Sequence, residues 1–171
     1  MINKIVCPNT VKERIMNEVI NMFWMSFQAN LSALETSIDK AIYRTSAQDE
    51  KQTVFNTMNN TIHSLMDYWE RVKSSSFQNE TKKMMRAFAY ANNKLKHADS
   101  LVSITARTGG FEFNSFTFPI NIPPIEFVFT DLDSFCREGR DENDNKMYNE
   151  YLRGKNVIEC FKEVALLIEY K

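Results

Sequence analysis

The chain has 171 residues, of which 43% are hydrophobic and 25% charged, and its formal net charge at pH 7 is -1. These proportions are ordinary for a globular protein, and the length suits one sizeable core, so residues 1–171 are interpreted as a single domain. The near-neutral charge excludes a chain drawn to nucleic acid by its overall field, and an RNA partner needs a local basic patch. No run of about 18 apolar residues occurs, which predicts no membrane-spanning helix.

The three cysteines lie far apart in the sequence, at Cys7, Cys136 and Cys160. An odd number without a Cys-x-x-Cys pair argues against a disulfide framework and against a structural zinc site. Gly-rich phosphate loops and His-Glu-x-x-His patterns are also missing, so the sequence predicts no metal site and no cofactor. Because the start of the chain lacks the apolar core and cleavage site of a secretory signal, the predicted location is cytoplasmic.

The first predicted helix begins near Thr10, which forms a capping box with Glu13. Apolar residues then recur at steps of three and four into the forties, with no Gly or Pro between them. The predicted buried side of the first part of the helix consists of Val11, Ile15, Val19, Met22, Phe23 and Phe27. The pattern fits one very long helix or two helices with a break near residues 29–32. Trp24 and Met25 make this region apolar on more than one face, which predicts central burial or contact with a second subunit.

The rest of the chain is predicted to contain two more long helices, a small sheet and a last helix. Near-heptad spacing over about residues 48–73 suits packing against an antiparallel neighbour, and another helical pattern covers residues 80–102. Pro, Gly and alternating Phe residues then indicate a small antiparallel β-meander over about residues 103–130. Residues 137–149 are interpreted as a surface loop or a frayed helix, and Asn156 is a candidate N-cap for the last helix.

The aromatic residues of the predicted meander admit two interpretations. An aromatic sheet can pack on a helical bundle, or it can stack the bases of RNA. Arg107 is the only basic residue over residues 103–130, so this sheet lacks the interleaved Lys and Arg of a base-stacking surface. Packing on the bundle is therefore the favoured interpretation.

The predicted helix over residues 80–102 has an apolar side and a polar side. Its apolar residues recur at alternating steps of four and three: Met84, Phe88, Ala91, Leu95, Ala98 and Val102. At about 100° per residue, four polar residues fall within roughly 60° of one another on the opposite side: Arg86, Tyr90, Asn93 and His97. We call these four residues the polar stripe. Such stripes are common on surface helices, where most are only solvated.

The polar stripe also has the chemistry that metal-free cleavage of RNA needs. His97 can transfer a proton near neutral pH, and Arg86 can hold a phosphodiester oxygen through two donors. Asn93 and Tyr90 can orient the reacting groups. The same helix is locally basic, and its lysines are the predicted RNA-binding residues: Lys82, Lys83, Lys94 and Lys96.

The run Asn92-Asn93-Lys94-Leu95-Lys96-His97 near the end of this helix resembles the motif of the HEPN superfamily. Members of that family are helical-bundle proteins, and many are ribonucleases of defence and toxin–antitoxin systems whose motif contains an Arg, a polar residue and a His. His97 matches the His and Asn93 or Asn92 the polar position, while Arg86 lies on the same face almost a turn too early. The resemblance implies a protein of a bacterial defence or toxin–antitoxin-like system that binds RNA or cleaves it without a metal ion.

Two functions of different classes are therefore expected. In the HEPN-like function, a symmetric homodimer pairs two copies of the polar stripe into one cleft. In the alternative, the chain is a non-catalytic helical interaction module that binds a protein partner. Both share one predicted fold, which is mainly α: a four- to five-helix bundle with a small antiparallel β-meander inserted after the third helical block.

Overall fold

A computed structural model describes residues 11–42, 48–72, 76–95, 102–106, 125–130 and 142–169. These ranges contain five helices and two short strands, so the protein is mainly α, as predicted. In chain order the elements are α1 (Val11–Ala41), α2 (Gln48–Trp69), α3 (Asn79–Leu95), β1 (Val102–Ala106), β2 (Ile125–Phe129), α4 (Glu142–Tyr151) and α5 (Val157–Ile168). None of the helices in these ranges is long and apolar enough to cross a membrane.

The first two helices pack side by side and run antiparallel. α1 is one continuous helix of 31 residues, which decides between the two predicted alternatives. Ser37 Oγ lies 2.8 Å from Thr57 Oγ1, and Thr61 Oγ1 donates to the carbonyl of Asn30 at 3.1 Å. The contacts thus move toward the start of α1 as they move toward the end of α2. This is the arrangement that near-heptad spacing in the second helix predicts.

The third helix differs from its predicted range. The apolar spacing predicts a helix as far as Val102, whereas α3 is described to Leu95 and Val102 is the first residue of β1. That part of the prediction is wrong. Val102, Ile104 and Ala106 alternate with polar residues, which is the pattern of a β-strand. The segment forms that strand because it pairs with β2.

The two strands form an antiparallel pair, in which Val102 lies opposite Phe129 and Ala106 opposite Ile125. In a three-stranded meander the first and third strands run parallel, on either side of the middle strand. The observed direct pairing differs from that order. The predicted middle strand, around residues 111–118, lies outside the described residues, and the meander is not confirmed.

β2 is also bonded to the short connection between α4 and α5. The Phe129 amide donates to the Lys155 carbonyl at 3.1 Å, and the Gly154 amide donates to the Phe129 carbonyl at 2.9 Å. Gly154 has a φ of 68°, a left-handed conformation that costs other residues about 1 kcal/mol or more. The glycine therefore allows the connection to turn back onto the strand.

An aromatic core cluster, formed by Phe27, Phe88, Phe129 and Phe161, joins four elements. These residues come from α1, α3, β2 and α5, and none of them is more than 1% exposed. The ring centroid of Phe161 lies 5.1 Å from that of Phe88, 6.2 Å from that of Phe129 and 6.5 Å from that of Phe27. Tilted pairs of aromatic rings at these separations stabilise the core beyond what the burial of their surface contributes. The last helix thus contributes the central residue of the core.

α4 decides between the two interpretations of residues 137–149, a surface loop or a frayed helix, because the chain is helical from Glu142. Most of that segment belongs to a helix of 10 residues, in which Met147 and Tyr148 are buried. Tyr148 Oη donates to the carbonyl of Thr130 at 2.7 Å, and its ring centroid lies 5.8 Å from that of Tyr90. Only two residues of this helix are buried, so most of its positions can be polar. Contacts with α3 and β2 stabilise the helix.

Asn156 caps α5, as predicted, since its Oδ1 accepts a hydrogen bond from the Glu159 amide at 3.1 Å. Its Nδ2 donates to Glu126 Oε1 at 2.8 Å, which connects the cap to β2. Asn156→Ala is expected to lower the free energy of unfolding by about 1–2 kcal/mol in urea denaturation. Asn156→Ser is the matched control, because it keeps an acceptor at the cap. Equal losses in the two variants would contradict the capping role.

Candidate functional site

The structure places Arg86 in an ion pair that connects α3 with α4. Its Nη2 and Nε lie 2.6 Å and 3.1 Å from the same oxygen, Oδ1 of Asp144. The side chains are 52% and 44% exposed, so the pair lies at the surface. An ion pair this exposed contributes about 0–1 kcal/mol. The guanidinium that is predicted to hold a phosphate therefore holds a carboxylate.

Tyr90 is buried, although the polar stripe is predicted to lie opposite the buried side of the helix. The residue is 4% exposed, and its ring centroid lies 5.8 Å from that of Tyr148 on α4. Lys94 Nζ lies 4.9 Å from the centroid of the Tyr90 ring, within the range of a cation–π contact. The polar stripe is therefore not an open surface, because α4 covers it at Tyr90.

The end of the predicted HEPN-like motif is described in part. Asn93 is exposed, and the Oδ1 atom of Asn92 is buried and accepts no hydrogen bond within the described ranges. Both His97, the predicted proton-transfer residue, and Lys96 lie outside those ranges. The structure thus places Arg86, Tyr90 and Asn93 on α3 and leaves the position of His97 a prediction.

The basic residues of α3 are mostly engaged with other side chains. Lys83 Nζ lies 2.7 Å from Glu80 Oε1, and Lys94 contacts the Tyr90 ring. Lys82 is half-buried. Since Arg86 is also paired, three of the four described basic residues of this helix already contact a carboxylate or a ring. The local positive field on which the RNA-binding hypothesis rests is weaker than the sequence indicates.

Glu80 connects α3 with α4 through Tyr151, whose hydroxyl donates to Glu80 Oε2. Hydrogen bonds from Lys83 and Tyr151 lower the pKa of Glu80. The same bond to Glu80, and then burial, raises the pKa of Tyr151 from 10.0 to about 12. Tyr151 is therefore a fixed hydrogen-bond donor near neutral pH.

Removing this bond is expected to lower the pKa of Tyr151 toward its ordinary value near 10. The raised pKa means that the folded chain keeps this proton between about pH 10 and about pH 12, where the unfolded chain has released it. The stabilisation is therefore present below about pH 10 and is lost as pH rises through about 12. Ultraviolet titration of the tyrosines should show one group of Glu80→Ala titrating earlier than in the wild type. Glu142→Ala is the control, and identical curves for Glu80→Ala and the wild type would contradict the assignment.

A second candidate surface lies on α1, in a region where the sequence predicted central burial or contact with a second subunit. Within the described residues, the exposed large hydrophobic side chains all belong to α1 and α5: Ile15, Met16, Met22, Met25, Leu166 and Leu167. Met22 is 68% exposed and Met25 61%. A single exposed apolar residue is ordinary, whereas a concentration of them on one helix marks an interaction surface.

The exposed residues of α1 follow their own helical spacing. We define the outer seam as the positions at steps of four and three that begin at Ile15: Ile15, Val19, Met22, Ser26, Ala29 and Ala33. All are exposed except Val19, which is half-buried. No charged residue occurs anywhere from Val19 to Leu34. The outer seam therefore has the spacing of a helix-packing face but no helix packed on it within the described residues.

No family model, curated protein or solved structure matches the chain. The part of the chain that the structure describes contains no group of three His, Cys, Asp or Glu residues that could hold a metal ion. Cys160 is buried, and burial raises its pKa to about 12, so its thiol is inert near neutral pH. Cys7 and Cys136 lie outside the described residues. The candidate surfaces are therefore the polar stripe of α3 and the outer seam of α1.

Proposed function

We propose that the chain is a non-catalytic helical interaction module that binds a protein partner through α1. The observation that carries this proposal is the outer seam, where exposed apolar and small side chains follow one another and no charged residue occurs from Val19 to Leu34. Burying the exposed part of Ile15, Met22 and Met25 would contribute about 1 kcal/mol for each side chain. Methionine is flexible enough to adapt to the shape of a partner.

The contacts of the polar stripe on α3 also favour the interaction module over the nuclease. Arg86 is paired with Asp144 and Tyr90 is buried, so two of the four residues of the polar stripe already have structural contacts. A catalytic arginine and tyrosine need to face the substrate instead. Among the exposed methionines of α1, Met25 Sδ accepts only a long hydrogen bond from Asn21 Nδ2 at 4.0 Å within the described residues.

The proposal can be tested by the oxidation of methionines with hydrogen peroxide, followed by mass spectrometry. In the dilute, isolated chain, Met22 and Met25 are expected to oxidise much faster than Met58 and Met84, which are 0% and 1% exposed. An extract of the cells from which the gene comes should protect Met22 and Met25 several-fold, and nuclease treatment of that extract should not remove the protection. Unchanged oxidation of both residues, in the extract and in the purified chain at high concentration, would contradict docking through α1.

A second candidate is the HEPN-like function: RNA binding, or metal-free RNA cleavage, in a bacterial defence or toxin–antitoxin-like system. Its support is the resemblance around His97, together with the exposure of the Arg86–Asp144 pair. Since such a pair contributes about 0–1 kcal/mol, a phosphate can displace the carboxylate. In this hypothesis His97 transfers the proton, Arg86 holds the phosphate, and a homodimer completes the cleft.

A cleavage assay with a mixed single-stranded RNA pool and no added metal tests this candidate. A ribonuclease centred on α3 should lose about 100-fold or more of its rate in His97→Ala. Asp144→Asn should keep or raise the rate, because it releases Arg86. His63→Ala is the matched control, since His63 is the other histidine of the chain and is exposed on α2. No cleavage by the wild type would remove the nuclease hypothesis under those conditions.

A further inference from the structure

The outer seam is graded in size from one end to the other. Its first three positions, Ile15, Val19 and Met22, have large side chains. Its last three positions, from Ser26 to Ala33, have the small side chains of serine and alanine. The first and last positions are 18 residues apart along the chain, which is about 27 Å of helix. A partner helix that fits this surface must be small where the seam is large, and large where the seam is small.

A second copy of α1 meets that requirement when the two helices run antiparallel. With the twofold axis at the level of residue 24, Ile15 of one copy lies opposite Ala33 of the other. Val19 then lies opposite Ala29, and Met22 opposite Ser26. Each of the three large side chains thus lies opposite a small one. The twofold axis generates a second copy of each of the three pairs. The alternating steps of four and three suit packing at a small crossing angle.

We propose that two copies of the chain associate through antiparallel pairing of their outer seams. This inference rests on the proposed function and names its partner. The absence of charge from Val19 to Leu34 leaves no cation to hold a phosphate along the seam, which disfavours RNA on this face. The size pairing alone therefore sets the antiparallel direction, because each large side chain of the seam lies opposite a small one only in that register.

Sedimentation velocity of the purified full chain tests the association. At about 50 µM, where a dimer with a micromolar Kd is mostly assembled, the expected mass is twice the chain mass of 20.0 kDa. Ala29→Arg places a long charged side chain in the seam, opposite Val19 of the second copy, and should weaken association about 100-fold or more. Gln28→Arg is the matched control, because Gln28 is exposed on the same helix but lies outside the seam. Thermal unfolding checks that both variants fold. A monomeric wild type, or an Ala29→Arg variant that still dimerises, would overturn the proposal.

Disulfide trapping tests the antiparallel register. In a background of Cys7→Ser and Cys136→Ser, the variants Met22→Cys and Ser26→Cys are oxidised alone and as a mixture. The antiparallel register places these two positions opposite each other, so the mixed disulfide should form fastest. Preferential formation of the two homodisulfides would indicate parallel pairing and overturn the inference. If the purified chain stays monomeric while a cell extract still protects Met22, the module proposal survives with a different partner, and this inference fails alone.

Discussion

Phe161→Ala is expected to lower the free energy of unfolding by about 3–5 kcal/mol. Phe161 is fully buried, and its ring contacts Phe27, Phe88 and Phe129, which come from three other elements. Truncation removes these ring contacts and leaves a cavity that helices on several sides cannot all close. The loss is a large share of the free energy of unfolding of about 5–15 kcal/mol that is usual for a protein domain.

The matched control for this prediction is Leu166→Ala on the same helix. Leu166 is 79% exposed, so its truncation should change the free energy of unfolding by no more than about 0.5 kcal/mol. Both variants are measured by urea denaturation at a protein concentration where the wild type is monomeric, because a dimer would add its own stabilisation. A loss below about 1 kcal/mol for Phe161→Ala would show that the aromatic core cluster is not packed as described.

Tyr148→Ala is expected to release α4 from the rest of the fold. In α4 only Met147 and Tyr148 are buried, and a helix of 10 residues is not stable alone in water. Tyr148 supplies ring contacts with Tyr90 and Phe129 and a hydrogen bond to the carbonyl of Thr130. Its truncation should cost about 3–5 kcal/mol, most of it as local undocking of the helix.

Hydrogen exchange with mass spectrometry distinguishes undocking from general destabilisation. In Tyr148→Ala, the amides of α4 should lose protection, while those in the middle of α1 and α2 keep theirs. Tyr148→Phe retains the rings and removes one hydrogen bond, so it should cost only about 1–2 kcal/mol and leave α4 protected. Equal loss of protection in all three helices would contradict local undocking.

The helices were predictable from the sequence where the residues that determine a helix or its end lie within a few positions of one another. The cap of the last helix is such a case, because Asn156 and the Glu159 amide that it accepts from are three residues apart. The end of α3 is the opposite case. The steps of four and three continue through Ala98 to Val102, yet Val102 pairs with Phe129, 27 residues later, and a pattern within one segment cannot indicate a distant strand.

The polar stripe shows the same difference between spacing and surroundings. Spacing correctly groups Arg86 and Tyr90 on one side of the helix, but the carboxylate that binds Arg86 is 58 residues further along the chain. That carboxylate belongs to a segment whose polar composition predicts a surface loop or a frayed helix. Whether the polar side of a helix is exposed to solvent depends on which element packs on it. Here that element is α4, which was the least predictable helix of the chain.

The sequence did not distinguish the outer seam from the core, because the spacing predicts one buried side of α1 that contains Ile15 and Met22 together with Phe27. For Ile15 and Met22 that prediction is wrong. α1 has two sets of apolar positions with similar spacing, one containing Phe27 and Leu34, which are buried, and the other containing Ile15 and Met22, which are exposed. Both read as helix-packing faces, and the long apolar region predicted either burial or a subunit contact. Only the position of α2 and the other helices shows which set is left uncovered.

The two hydrogen bonds of Phe129 have a consequence for synthesis on the ribosome. Its amide and carbonyl bond to Lys155 and Gly154, about 25 residues later, so neither bond can form until that connection has emerged. α1 and α2, by contrast, can make their mutual contacts once residue 72 has emerged. A nascent chain therefore holds a helical hairpin early and an incompletely bonded strand late. During that interval the edge of β2 is open to pairing with other nascent chains, which makes the last helices protective elements as well as structural ones.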